Sequence, residues 1–487
     1  MRSIVLYSLL FLFFLPNLFS QASLNQAIKG LANIDAMKHA SMSVSVIDVE
    51  SGKMIASYDP DRNLLPASSL KIVTTSMALE VLGENFKFKT ELQYDGEIDA
   101  DGTLNGNLYI KGYGDPTIGS HHFEAATKMG EVLTQFRTAI TKVGIKKITG
   151  KIIGDASYFE TGVEGRSWSY EDLGNYYGTG AWGLNFHENL YFIGFRQNTK
   201  LGSQPKIEEI EPEIPNLLLV NELKLAKAGS GDNAYIFGSA YNYMRFIRGT
   251  IPVGSKLFKV KGSIPDPPFF FAYSLMKELE ANGIETSKMA TSQFQQNLED
   301  EKRSDRTTFF TFESPSLKEI VKETNLKSVN LYCESLLRTI GKKEKGEGSD
   351  VAGLKVIYER LKSRGMDTKG FFMEDGSGLS IRNAISSSHL ANIMRYIAKD
   401  EKIFSAFDAS LPKAAKSGAL KYLLKGTIAE GRLRAKSGGM SRVRSYTGFA
   451  KTKSGKLLAF SIIANDFTGK SSVIRNKMEK IMLEICR

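Results

Sequence analysis

The chain has 487 residues, long for one hydrophobic core, so two or three domains are expected. With 42% hydrophobic and 24% charged residues it has the make-up of a soluble globular protein. The formal charge of +11 rests on scattered Lys and Arg with no basic run and no aromatic–basic repeat, which argues against nucleic acid and suits an anionic surface or polymer in the cell envelope.

The chain opens on Met1-Arg2 and an apolar run from Ile4 to Leu15, then turns polar, with small residues Ser20 and Ala22 where cleavage would fall. Residues 1–20 read as a secretory signal peptide, too short for a spanning helix, and no later segment is long enough to span. No cysteine near the junction suggests a lipid anchor. The expected destination is the periplasm or cell envelope. Cys333 and Cys486 both sit in helix-like apolar patterns, which favours buried thiols over a bridge. The five histidines (His39, His121, His122, His187, His389) show no HExxH-type spacing, so no metal is expected.

From about Ser41 to Tyr58 the alternation about the turn ESGK predicts a β-hairpin. A helix follows, with Leu70, Val73, Met77 and Val81 as its apolar stripe and Gly83 ending it. Residues 88–311 change character: strand-like runs such as FKFKTELQYDGEI, GNLYIKGYGD and KKITGKIIGDASYF alternate with Gly and Asp turns, with few long helices. This region reads as an inserted, mostly β part with two nested subdomains. Helical periodicity returns at PSLKEIVKETNLK and LYCESLLRTIG. Three strand-like runs follow (RLRAKSGGM, RSYTGFAKT, KLLAFSIIAND), then an amphipathic helix with Ile474, Met478, Ile481 and Ile485. Its stripe suits packing on a sheet, or contact with a membrane surface. The expected organisation is one α/β domain built from 21–87 and 312–487, interrupted by 88–311. Nothing in the sequence sets the oligomeric state.

Within the first helix, Ser68 and Lys71 stand one turn apart on one side. A serine hydroxyl attacks a carbonyl only when a base within about 3 Å takes its proton. Lys71 can be that base only if burial and neighbouring cations lower its pKa, and it lies between Leu70 and Ile72. N–H groups at a helix start are unpaired and can bind a developing oxyanion. Two further elements follow in order: Ser328-Val329-Asn330 in a tight link between helices, and Lys436-Ser437-Gly438 in a strand. Decoys exist. Ser203-Gln204-Pro205-Lys206 repeats the spacing, but its proline argues against a helix. Ser23-Leu24-Asn25 lies at the leader junction, and Lys-Ser-Gly recurs at Lys416 and Lys453. Only Lys436 begins a strand that other strands can flank.

S-x-x-K, S-x-N and K-[ST]-G in this order resemble the penicillin-recognising serine enzymes. The long stretch between Ser68 and Ser328 resembles the penicillin-binding protein 4 type of D-Ala-D-Ala carboxypeptidase and endopeptidase, the low-molecular-mass class C enzymes. PASSLKIVTT, KGYGDPTIG, GDASYF, SVNLYCESLLRTIG, EDGSGLS and AKSGGMSRVRSYTGF agree, so the resemblance covers nearly the whole mature chain. It implies an antiparallel sheet flanked by helices, carrying the insertion. It implies that Ser68 is acylated by the penultimate D-alanine of a peptidoglycan stem peptide, or by a β-lactam as covalent inhibitor. Lys71 is then the base, Ser328 the proton relay to the leaving amine, and Asn330 a holder of Lys71 and of the substrate backbone. Lys436 supplies positive charge, and Ser437 binds the substrate carboxylate. The oxyanion hole combines the Ser68 and Gly439 N–H groups, with Gly438 between, and no metal or organic cofactor is needed. Asp155 and Arg382 are candidates for gripping the stem peptide, although Ile381 precedes Arg382 where many relatives have arginine at once. Phe159 and Asp155 also suit a turn and its core, and Trp168 and Trp182 suit aromatic packing. The competing readings are a β-lactamase or esterase on the same chassis and a non-catalytic envelope-binding scaffold.

Overall fold

The computed structural model describes residues 21–124, 127–298 and 305–487; the leader expected over 1–20 lies outside them. The described residues form two compact units, one from 21–84, Val321–Val329 and Leu354–Arg487, the other from Asn85–Ile320 and Asn330–Gly353.

The first unit is built on a five-stranded antiparallel sheet in the order Leu433–Met440, Val443–Lys451, Leu457–Asn465, Ser41–Asp48, Met54–Tyr58. The front hairpin thus pairs with the last strand of the chain, Ser41 opposite Asn465 and Asp48 opposite Leu458. The strand SMSVSVID alternates serine with Met and Val, and both of its faces are buried. Val44 and Val46 join Phe460, Ile462, Ile474, Met478 and Ile481 in one core, so the C-terminal helix (Ser471–Ile485) packs its stripe on the sheet. Ser43 and Ser45 face the opposite side, where the helix Ser387–Lys399 covers the sheet. Their hydroxyls meet Ser387 Oγ at 2.7 and 2.8 Å, which satisfies polar groups that burial would otherwise penalise.

The second unit contains a mixed five-stranded sheet in the order Ala290–Ser292, Ile152–Asp155, Leu108–Gly112, Lys89–Tyr94, Thr307–Glu313, together with smaller sheets around Leu190–Arg196 and Met244–Pro252. Among its many strands it also carries two long helices, Met129–Lys142 and Pro267–Ala281. In PPFFFAYSLMKELEA the residues are apolar nearly all round because most of them are buried, so no periodic stripe stands out. The start signal is nevertheless present: Asp266 accepts from the Phe269 N–H, and proline follows it. Trp182 is fully buried, its indole N–H donating to Thr179 O, with Tyr241 edge-on, and Trp168 is also buried: both rings pack.

The helix Asn330–Lys345 clusters with the second unit, whereas the sequence groups all of 312–487 with the first. Its buried polar side chains find partners there. Tyr332 OH bonds Ser120 and Glu188, while Arg338 pairs with Asp350 and donates to Gly162 O. Cys333 and Cys486 are buried thiols, and burial pushes the Cys486 pKa up to about 12.

Candidate active site

Residues Ala67–Leu70 form a 3₁₀ turn, and the α-helix begins at Lys71 and runs to Leu82. Ser68 therefore sits in the turn ahead of the α-helix rather than at its first residue. Ala67, next to it, has φ +47°, a left-handed value that costs a non-glycine residue energy and persists only where surroundings impose it. Those surroundings are visible. The Asn465 amide clamps both backbone groups of Leu65, at 2.7 and 3.1 Å, and Ser69 Oγ donates to Pro66 O. Helix residues from Lys71 to Leu79 are all buried, and Thr74 Oγ1 donates to Gly376 O at 2.7 Å.

Lys71 is fully buried, and its Nζ donates to Ser68 Oγ at 3.0 Å and to Ser377 O at 2.7 Å. Ser68 itself is half-buried, so the hydroxyl can be reached while the amine cannot. The Ser377 carbonyl is held in place by Asp375, one of the residues of EDGSGLS whose role spacing alone does not reveal. The fully buried Asp375 carboxylate accepts from the Gly378 N–H, the Ser380 N–H and Asn383 Nδ2 at 2.6–2.9 Å, folding the loop around itself. Gly378 has φ +83°, and a Cβ there would come within 2.1 Å of Ala67 O. The loop thus backs directly onto the serine turn.

Ser328 lies between the helices Leu317–Lys327 and Asn330–Lys345, again with a left-handed φ of +62°. Its Oγ accepts from Lys436 Nζ at 2.8 Å, and that ammonium, also buried, donates to Ser437 O at 2.9 Å. Lys436 lies on the edge strand Leu433–Met440, which packs against the serine turn. Contact is closest at Gly438, where a Cβ would come within 2.5 Å of Pro66 O and 2.9 Å of Ser69 N. A second tie is Asn325, on the helix before Ser328, whose amide donates to Thr75 Oγ1 at 3.4 Å. Two lysine–serine pairs are thereby brought to one turn–strand junction. Gly439 follows on the same strand and is exposed.

The other expected residues have the following surroundings. Asn330 starts its helix and donates to Tyr177 O at 2.9 Å. Arg382 has an exposed side chain, its backbone N–H bonded to Ser380 Oγ. Asp155, in the second unit, is committed to two ion pairs, with Lys111 at 3.0 Å and Arg306 at 2.6 Å, and accepts the Ser157 N–H of its own turn. Burial works against its charge, but Lys111, the Ser157 N–H and Arg306 outweigh it and hold the carboxyl at about 2. The decoys are elsewhere in function. Ser203 bonds Lys200 O in a turn, Lys416 is an exposed partner of Glu430, and Lys453 occupies the exposed turn of the last hairpin.

Residues 24–484 match the family described as D-Ala-D-Ala carboxypeptidase 3 (S13). The chain is similar to the D-alanyl-D-alanine carboxypeptidase of Actinomadura sp. (strain R39), 28% identical over 468 residues that cover 92% of this chain and 81% of that one. In fold it is similar to the crystal structure of penicillin binding protein 4 from Haemophilus influenzae, with a TM-score of 0.78 at 22% identity, covering 93% of this chain and 98% of the other. A structure of that protein complexed with a β-lactam matches at a TM-score of 0.73 and 21% identity, over 92% of this chain and 96% of that one. With the family matched over nearly its whole length, the chain belongs to the D-Ala-D-Ala carboxypeptidase 3 (S13) family and is a serine DD-peptidase.

Proposed function

We propose that Ser68 is the nucleophile and Lys71 its base, in a hydrolase that removes the terminal D-alanine of peptidoglycan stem peptides and opens D-Ala–diamino acid crosslinks. The observation that carries this reading is the 3.0 Å contact between Lys71 Nζ and a reachable Ser68 Oγ. Lys71 takes the hydroxyl proton as Oγ bonds to the carbonyl carbon of the penultimate D-alanine. The negative charge moves to the carbonyl oxygen, where the N–H groups of Ser68 and Gly439 receive it. The C–N bond then breaks and the Ser328 hydroxyl passes a proton to the leaving amine, Ser328 being re-protonated from Lys436; Lys71 releases the proton it took to solvent and Lys436 regains one from solvent, which restores both lysines. The 2.8 Å Lys436–Ser328 bond supports that relay. Lys436 and Ser437 hold the substrate carboxylate, and Asn330, by its place in the Ser-x-Asn element, the peptide backbone. Water hydrolyses the ester.

A penicillin enters the same steps, but its leaving amine stays tethered and the acyl-enzyme persists. Residues 1–20 direct the chain to the cell envelope, where both polymer and antibiotic are met. Among the described residues no helix is long and apolar enough to cross a membrane. The test is a steady-state assay on an acyl-D-Ala-D-Ala peptide. Free D-alanine is released by the wild type and not by Ser68→Ala; rapid turnover of a cephalosporin without D-alanine release would instead assign a β-lactamase.

A further inference from the structure

Adjacent histidines His121 and His122 lie in the second unit, beside Glu188 from a separate segment. Among the described residues these three present donor atoms that all fall within 4.8 Å of one another. His121 Nδ1 stands 3.5 Å from Glu188 Oε1, and His122 Nε2 stands 3.5 Å from Glu188 Oε2. That separation is long for an N–H···O hydrogen bond, whose usual span is about 2.7–3.2 Å. The two contacts end on different carboxylate oxygens, and each is near the roughly 3.4 Å edge of a tetrahedron whose bonds are about 2.0–2.1 Å. The two rings are 4.3 Å apart between centroids and tilted by 42°, so they converge rather than stack flat.

The carboxylate is held in place. Glu188 is buried, and Oε1 accepts hydrogen bonds from Ser120 Oγ and Tyr332 OH. Ser120 Oγ also accepts the His122 backbone N–H at 3.0 Å, so one hydroxyl ties both donor segments together. Outer partners of this kind orient metal ligands. The turn that presents Glu188 is unusual: His187, Glu188 and Asn189 have φ of +55°, +54° and +55°. Three successive left-handed non-glycine residues cost energy that a functional constraint repays. They are pinned by the Asn189 side chain, which accepts the Phe186 N–H and donates to Asn185. The side chain of His121 is about half exposed, which leaves one side of the set open to water.

We infer that His121, His122 and Glu188 form a site for a divalent transition-metal ion of the zinc type, with water completing four-fold coordination and the ion clamping the 119–124 loop to the 187–189 turn. Two imidazoles and one carboxylate suit zinc, copper or nickel better than calcium or magnesium, which prefer all-oxygen shells. The test uses tag-free full-length protein stripped with chelator and titrated calorimetrically with Zn²⁺. One equivalent binds and raises the thermal midpoint. Glu188→Gln and His122→Ala each weaken binding by more than about 100-fold, and Ser120→Ala by about 10-fold. All three variants still label with a fluorescent penicillin, which verifies that they fold. Absence of binding to the wild type, or equal affinity and stoichiometry in the variants, overturns the assignment.

Discussion

Gly378 presses its Cα against the carbonyl oxygen of Ala67, so that a methyl group there would stand 2.1 Å from that oxygen. Through this contact the loop that receives Lys71 and the turn that carries Ser68 are set against each other with no side chain between. Gly378→Ala combines this clash with a left-handed φ, and the turn must shift. A displacement of about 1 Å at a reacting group costs on the order of 100-fold in rate. The expected outcome is a fall of that size in the second-order rate of penicillin acylation, read with a labelled penicillin. An unchanged rate would show that the loop does not set the serine.

Lys71→Ala removes the proposed base and leaves Ser68 Oγ in its turn. Acylation should slow by about 10²–10⁴-fold, the usual contribution of a positioned base. Stopped-flow acylation reads the rate directly, and a variant keeping the wild-type rate would place the base elsewhere.

Asp375→Ala orphans the Gly378 and Ser380 N–H groups and one N–H of the Asn383 amide, whose Nδ2 keeps its bond to Ser380 O, in a buried loop. Each orphaned donor costs about 1–3 kcal/mol, so destabilisation of at least about 3 kcal/mol is expected. Since the same loop presents Ser377 O to Lys71, D-alanine release should fall further than loss of folded protein explains. Calorimetry beside active-site titration separates the two effects.

How much of this was legible depends on whether a residue's partner is written into its own segment. The hairpin 41–58, the three closing strands and the Ile474–Ile485 stripe follow from period and turn chemistry, and the structure has them. The Ser68, Ser328 and Lys436 elements are short fixed spacings, readable once taken in order. Asp375 and Ser377 escape such reading because their work is done by backbone groups folded around a carboxylate. Glu188 escapes because its partners lie far along the chain, and the HExxH pattern does not describe a site assembled from two loops. Helix Pro267–Ala281 is masked by burial on nearly all sides. Arg338, fully buried and donating to Gly162 O, ties the helix after Asn330 to the second unit, and a charged residue in an amphipathic pattern reads simply as solvated.

Asp155 offers a pH test of the reading that it shapes structure. Its folded carboxyl sits at about 2, below the ordinary aspartate value of about 3.9, so folding favours the ionised form. That contribution is complete well above the unfolded value and is lost as pH falls from about 4 toward 2, amounting to about 2 kcal/mol. Asp155→Asn should therefore lower the thermal midpoint near neutrality, with the gap to wild type closing in acid. D-alanine release per folded molecule should hold. A gap independent of pH, or selective loss of peptide turnover, would give Asp155 a substrate role instead.

The most direct measurement is intact-protein mass spectrometry after incubation with penicillin G, followed by peptide mapping. A single added penicillin on the peptide containing Ser68, absent in Ser68→Ala, is the predicted result. An adduct on any other serine, or full D-alanine release by Ser68→Ala, would contradict the account.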